Sequence, residues 1–263
     1  MDQQEDQRRV NQSESAGPPE RDAAARIEAE YFDDLVSSEG EFNPLAESGW
    51  RTIRNRFEHF VRVRPGMRVL DIGCGTGQSR QVYAAHASEY VGVDLAEGAL
   101  ARARVRFPSD RWQCADARNL PFESGTFDLV AFSGVLHHIA EFEDALRESL
   151  RVLAPGGSAF AFDPNLLHPA MALFRYPKSP LYSAKGVSPN EAPMLPKTLR
   201  RGFEQAGFVD VKQRAQSDIA YRSVAPRLLN AGLKVYNVAD RWFERVGLGR
   251  WFGTFVITAG RKR

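Results

Sequence analysis

Arg68-Val69-Leu70-Asp71-Ile72-Gly73-Cys74-Gly75-Thr76-Gly77 reads as a short apolar strand running straight into a glycine loop. Alternating glycines let a backbone turn tightly and approach a ligand with no Cβ in the way. A helix is expected next, from about Gln78 to Ala87, and its first amides would face whatever lies on the loop. Strand, glycine loop and helix in this order open a parallel sheet. In such sheets ligands bind at the carboxyl ends of the strands, near the point where strand order reverses.

Downstream the same rhythm repeats. Strands are predicted at Tyr90–Asp94, Arg111–Cys114, Phe127–Phe132, Ser158–Phe162, Phe208–Arg214 and Gly253–Ala259, with helices at Ala96–Phe107, Phe142–Leu153 and Thr198–Gln205. Strands alternating with helices indicate an α/β fold with a doubly wound, mostly parallel seven-stranded sheet covered on both faces. Upstream, Asp22–Val36 and Pro44–Val63 read as helices, the second with Trp50, Ile53, Phe57 and Phe60 at helical spacing and Pro65-Gly66 at its end. Residues 1–22 are polar and predict a disordered tail. The rhythm breaks at 163–196, where Pro169, Pro177, Pro180, Pro189, Pro193 and Pro196 accumulate among scattered aromatics. A loop this long inside a compact domain is usually a lid or a binding segment.

The chain has 263 residues, 43% of them apolar, and a net charge of +2. It has ample material for a core, no run of the roughly 18–20 apolar residues that cross a bilayer, and no secretory pattern at Met1–Val10. The expectation is a soluble cytoplasmic protein. Near-neutral charge gives no footprint for nucleic acid. Cys74 and Cys114 lack the spacing of a zinc site and are read as small, buried, reduced residues; no metal is expected.

Glycine loops serve several ligands, and Asp71 discriminates among them. A carboxylate at the head of the loop would repel the pyrophosphate of a dinucleotide and attract an ammonium group. Val69–Gly77 resembles motif I of the class I S-adenosylmethionine-dependent methyltransferases. Val91-Gly92-Val93-Asp94-Leu95 is similar to their second motif. Asp116–Phe122 with Phe127–Val130 resembles the segment leading into strand four, and Leu150–Gly157 the turn into strand five. The resemblance covers residues 65 to about 163 in order, of the small-molecule type that includes ubiquinone/menaquinone and secondary-metabolite enzymes. It implies a Rossmann-like fold, S-adenosylmethionine as methyl donor and S-adenosylhomocysteine as product. Gly73, Cys74, Gly75 and Gly77 would underlie the methionyl group, with Asp71 receiving its ammonium directly or through water. Asp94 would accept the ribose hydroxyls, Leu95 would pack on the adenine, Asp116 and Ala117 would bond its edge, and Ser133 would border the methyl group. In domain terms, residues 23–64 would cover the acceptor site, 65–263 would form the methyltransferase domain, and 163–196 would be its lid or acceptor-binding segment.

The acceptor half rests on Val135-Leu136-His137-His138-Ile139, just past strand four. An imidazole titrates near neutral pH and suits deprotonation of a hydroxyl. Asp163 ends the neighbouring strand, so His138, with His137 second, is expected to be a base oriented by Asp163. One of the imidazoles serving only as a cap on the short helix is the competing reading. Tyr31, Phe32, Trp50, Phe174, Arg175, Tyr176 and Tyr182 are candidates to line the acceptor pocket, with Lys178 a further cation. A small-molecule hydroxyl is the expected acceptor; carbon methylation of a quinone or lipid-like ring is the alternative. From other classes, a dinucleotide-dependent oxidoreductase is opposed by Asp71, and a donor-binding protein without catalysis is left to assay. The run Val224–Val246, with Arg222, Arg227, Lys234, Arg241 and Arg245 among apolar residues, suits packing on the sheet or in a homodimer, or peripheral contact with a membrane. Monomer and homodimer are both open.

Overall fold

A computed structural model describes residues 18–41, 43–180, 182, 187–222 and 231–263. Helix α1, Pro18–Glu39, and α2, Glu47–Phe60, precede the sheet. The sheet comprises β1 Met67–Ile72, β2 Ala87–Asp94, β3 Arg111–Cys114, β4 Phe127–Ser133, β5 Leu153–Pro164, β6 Val209–Gln216 and β7 Phe255–Arg261. Among the helices, α3 is Arg80–Tyr83, α4 Glu97–Arg106, α5 Phe142–Val152, α6 Pro169–Phe174, α7 Pro196–Ala206, α8 Leu233–Arg245 and α9 Gly249–Phe252.

The strands lie in the order β3-β2-β1-β4-β5-β7-β6. Strands β1 to β5 pair in parallel, whereas β7 runs antiparallel to both β5 and β6. The chain moves outward from β1 through β2 to β3, then returns to place β4 on the other side of β1. That reversal leaves a crevice at the carboxyl ends of β1 and β4, and the glycine loop sits in it.

Period-two alternation splits the core between two faces. Val69, Leu129, Ala131 and Phe160 face α2 and α4, meeting Trp50, Ile53, Phe57 and Leu100. Leu70, Ile72, Val130, Phe132 and Ala161 face the other way, onto Leu146 of α5 and Leu199 and Phe203 of α7. Burial of α5 follows its sequence: Phe142, Ala145, Leu146, Ser149 and Val152 recur at helical spacing and are its buried residues.

Several boundaries differ from expectation. Helix α1 begins at Pro18 rather than Asp22, with proline tolerated in a first turn because its missing N–H would be unpaired there anyway; of the tail expected at 1–22, residues 1–17 lie outside the described set. The helix after the glycine loop is only Arg80–Tyr83, continued by a 3₁₀ turn at Ala84–His86. The proline-rich stretch contains α6 and a parallel bridge from Asn165 to Met194. The long helix expected at 224–246 is described from Leu233, residues 223–230 being outside the described set. Cys74 is buried as expected, but Cys114 is exposed, because β3 is an edge strand and the side chain stands at its end.

Candidate active site

The glycine loop is pinned to the end of β2, with the amides of Gly73 and Cys74 both donating to the Val93 carbonyl, at 2.9 and 3.2 Å. Gly73 and Gly75 have φ of +69° and +50°, in the left-handed region that favours glycine. A Cβ on Gly73 would come within 2.4 Å of the Val135 Cβ, whereas one on Gly75 would meet no atom within 4 Å. Gly77 meets a further demand: its missing Cβ makes room for the rings of Phe107 and Trp112. This packing demand stands beside the place beneath the methionyl group that the resemblance implies.

Asp71 lies behind this loop, fully buried. Its Oδ2 accepts from the hydroxyls of Ser79 and Tyr90, each at 2.5 Å, and its Oδ1 from Ser133 at 2.6 Å. Burial pushes this carboxyl up to about 6, against the pull of the three hydroxyls. It anchors the loop to β2 and β4, and a charge held there acts on the cavity through the loop rather than by contact. Sequence reading missed Ser79 and Tyr90; a tyrosine amid the aliphatic side chains of β2 was the available signal.

Asp94 closes the loop from the other side, accepting from the Gly75 amide at 2.8 Å and the Ala96 amide at 3.0 Å. Burial pushes its carboxyl up, against those amides. Asp116 accepts the Arg118 amide at 2.8 Å, in an Asx turn, and pairs with the Arg118 guanidinium at 2.6 Å. Burial pushes Asp116 up, but the Arg118 bonds outweigh it and hold the carboxyl low. Its expected partner, an adenine amine, would share an oxygen already engaged. Leu95, Ala117, Cys74 and Ser133 join Asp94 and Asp116 in the wall of a cavity of about 900 Å³. Open space over Gly75, carboxylates at one end and the apolar faces of Leu95 and Ala99 suit a nucleoside joined to an amino acid.

The histidines sit on the 3₁₀ turn Leu136–His138, which follows β4 directly. Asp163 pairs with His137, not with His138: its Oδ1 lies 2.8 Å from His137 Nδ1 and accepts the His137 amide at 3.2 Å. The rings of His137 and His138 lie against each other, with centroids 4.0 Å apart, but only His137 Nδ1 reaches Asp163 on β5. His138 turns toward α1, its Nδ1 2.7 Å from Glu28 and 2.8 Å from the Ser188 hydroxyl. In place of the expected Asp163, the carboxylate that orients His138 is Glu28, from the N-terminal helix expected to cover the acceptor site. Ser188 also donates to Glu28, and Asn190 Nδ2 donates to its second oxygen at 3.2 Å. Burial and the nearby His137 push the His138 imidazole down, against the pull of Glu28. Burial pushes Glu28 up, but bonds from His138 and Ser188 hold it low. Both imidazoles line the cavity, whereas Asp163 stands behind His137, fully buried, with Oδ2 lacking a hydrogen-bond partner among the described residues.

Beyond the histidines the cavity is aromatic. Tyr31, Phe32, Trp50 and Arg175 line it as expected, joined by Phe162, Tyr221, Tyr236 and Phe255. Tyr176, Tyr182 and Lys178 are exposed and do not line it, and the Phe174 side chain lies outside the described set. The last four aromatics come from β5, the segment after β6, α8 and β7, elements whose meeting only the tertiary fold reveals.

Residues 70–161 match the family profile described as a methyltransferase domain. The chain is 30% identical over 215 residues to a demethylmenaquinone methyltransferase of Renibacterium salmoninarum, covering 78% of this chain and 88% of that one. A protein of the same name in Symbiobacterium thermophilum is 31% identical over 150 residues, and there the match spans 53% of this chain and 60% of the relative. Among solved structures, an S-adenosylmethionine-dependent methyltransferase of Thermotoga maritima superposes with a TM-score of 0.60 at 17% identity, over 91% of this chain and 100% of that one. That likeness speaks to the fold.

Proposed function

The chain belongs to the class I S-adenosylmethionine-dependent methyltransferases, and from that premise we propose that it methylates an apolar ring bearing a hydroxyl, with His137 removing the hydroxyl proton. The observation that carries this reading is the His137–Asp163 pair in the cavity wall. With Nδ1–H donated to Asp163, the imidazole presents Nε2 as its basic nitrogen. The buried carboxylate, unpaired at Oδ2, stabilises the imidazolium formed when a proton is taken.

S-adenosylmethionine, when bound, supplies a methyl group on a sulfonium centre, a leaving group that needs no help from the protein. The protein's task is alignment and deprotonation. Asp94, Asp116 and the Gly73–Gly75 backbone would hold the donor, with Ser133 at the border between donor and acceptor. Trp50, Phe162, Tyr236 and Phe255 would hold the acceptor ring by apolar contact and exclude water.

A deprotonated ring hydroxyl can be methylated at oxygen, or at the neighbouring carbon, which it makes nucleophilic and which then gives up its ring proton to restore the aromatic ring. The demethylmenaquinone methyltransferases among the relatives favour carbon, with oxygen as the second reading. The test is incubation with S-adenosylmethionine and a panel of apolar phenols and quinols, followed by mass spectrometry and NMR of the products. A new methyl on ring carbon supports the first reading and a methoxy signal the second. Turnover of only non-aromatic or amine acceptors would overturn both.

A further inference from the structure

Helix α8 has two faces. Its inner side places Leu233 and Tyr236 in the cavity wall, and buries Asp240, which accepts the Asp218 amide at 2.7 Å and the Thr254 hydroxyl at 2.9 Å. Its outer side carries Val235, 74% exposed, Val238 and Trp242, 57% exposed. At about 100° per residue these three fall within a stripe about 60° wide. Lys234, Arg241 and Arg245 all lie along one flank of that stripe and are exposed. Helix α9 extends the patch with Trp251, 60% exposed, and Phe252, and the Arg250 guanidinium sits 5.6 Å from the Trp251 ring centre.

The charges of this surface are one-sided. Of its acidic residues, Asp240 is buried, Glu244 is paired inward with Arg56 at 3.4 Å and with Arg214, and the partly exposed Asp218 is taken up by Arg241. Arg241 is paired with Asp218, at 3.4 Å. Lys234, Arg245 and Arg250 have no ion pair among the described residues. An exposed apolar stripe with tryptophans and a basic flank is the composition of a helix lying in a membrane interface, apolar side down and cations toward anionic headgroups.

We propose that the outer face of α8 and α9 docks this protein on the anionic surface of a lipid bilayer. Charge selects this occupant. A second copy packing its α8 antiparallel on this one about a two-fold axis would set one basic flank against another, a like-charge contact that an anionic surface turns into attraction. The docking stands on this surface alone. Its use rests on the proposed apolar acceptor: a helix seated in the interface has its opposite side, Leu233 and Tyr236, in the wall of the cavity that His137 also lines.

The test is co-sedimentation of the full chain with vesicles of phosphatidylcholine alone and of phosphatidylcholine mixed with phosphatidylglycerol. The expected result is binding to the anionic vesicles that weakens with salt and is lost in Trp242→Glu. Replacing Lys234, Arg245 and Arg250 together by Ser should weaken it roughly 100-fold, at about fivefold per charge. Unchanged affinity for S-adenosylhomocysteine in both variants shows that these surface changes leave the fold intact. No sedimentation with anionic vesicles at low salt overturns the proposal, as does wild-type binding by both variants. A dimer that Trp242→Glu dissociates, with no vesicle binding, overturns it in favour of a second copy. Failure of the acceptor panel alone leaves the docking result standing, so the two readings fail separately.

Discussion

Replacing Gly73 and Gly75 singly by Ala separates two demands that the loop places on glycine. Both residues hold left-handed backbone, at φ +69° and +50°, so either substitution costs about 1–2 kcal/mol in conformation. Only Gly73→Ala adds a collision: its Cβ would sit 2.4 Å from the Val135 Cβ, an atom fixed to the backbone and unable to swing aside. Overpacking of this kind adds about 1–3 kcal/mol, for a total of roughly 2–5 kcal/mol. At about 2–4 °C per kcal/mol for a chain of this size, the melting point should fall by roughly 4–20 °C. Gly75→Ala should fall only by about 2–8 °C, on the conformational part alone. Yet its methyl group points into open space at the cavity wall, so affinity for S-adenosylhomocysteine should drop at least about tenfold, a loss of close backbone approach. Scanning calorimetry and titration calorimetry on the same preparations read both quantities. If Gly73→Ala melts with the wild type, or Gly75→Ala is the less stable of the two, the reasoning from loop geometry is refuted.

Asp71, pushed up to about 6 by burial, contributes stability that is fully present below about pH 4 and is lost as pH rises through 6. In urea titrations of donor-free protein, the stability of wild type relative to Asp71→Asn should therefore fall between pH 4 and 7, by up to about 3 kcal/mol; a flat difference would contradict the assignment. Glu28→Gln should loosen the tie between α1, Ser188 and His138, raising the acceptor KM about tenfold with a smaller change in kcat, the scale of a lost charged hydrogen bond. An unchanged KM would show that α1 does not help hold the acceptor.

The donor half of the site was legible because it is local. Motif, strand end and loop follow one another in sequence, so Asp71, Gly73, Gly75, Asp94, Leu95 and Asp116 are singled out as donor candidates without knowing the fold, and the structure gathers them around one loop. The packing demand on Gly77 was not legible, because a glycine that clears space for Trp112 looks the same, in sequence, as one that clears space for a ligand. The acceptor half depends on long-range contacts. Glu28 meets Ser188 across 160 residues, and nothing in Arg26-Ile27-Glu28-Ala29-Glu30 distinguishes a buried carboxylate from its solvated neighbours. The histidine pair was visible, but which imidazole receives Asp163 is decided by the rotation of one residue in a 3₁₀ turn, a detail below the resolution of any pattern. The antiparallel placement of β7 between β5 and β6 is likewise a matter of chain return, to which the residues of a fully buried strand give no clue.

The claim that His137, oriented by Asp163, is the base is tested most directly by single-turnover rates at saturating S-adenosylmethionine, on an acceptor the enzyme turns over. His137→Ala should lower the methyl-transfer rate by about 10²–10⁴-fold, the usual contribution of a positioned base, while His138→Ala stays within about tenfold of wild type and both bind S-adenosylhomocysteine normally. A wild-type rate in His137→Ala, or a larger loss in His138→Ala, would contradict it.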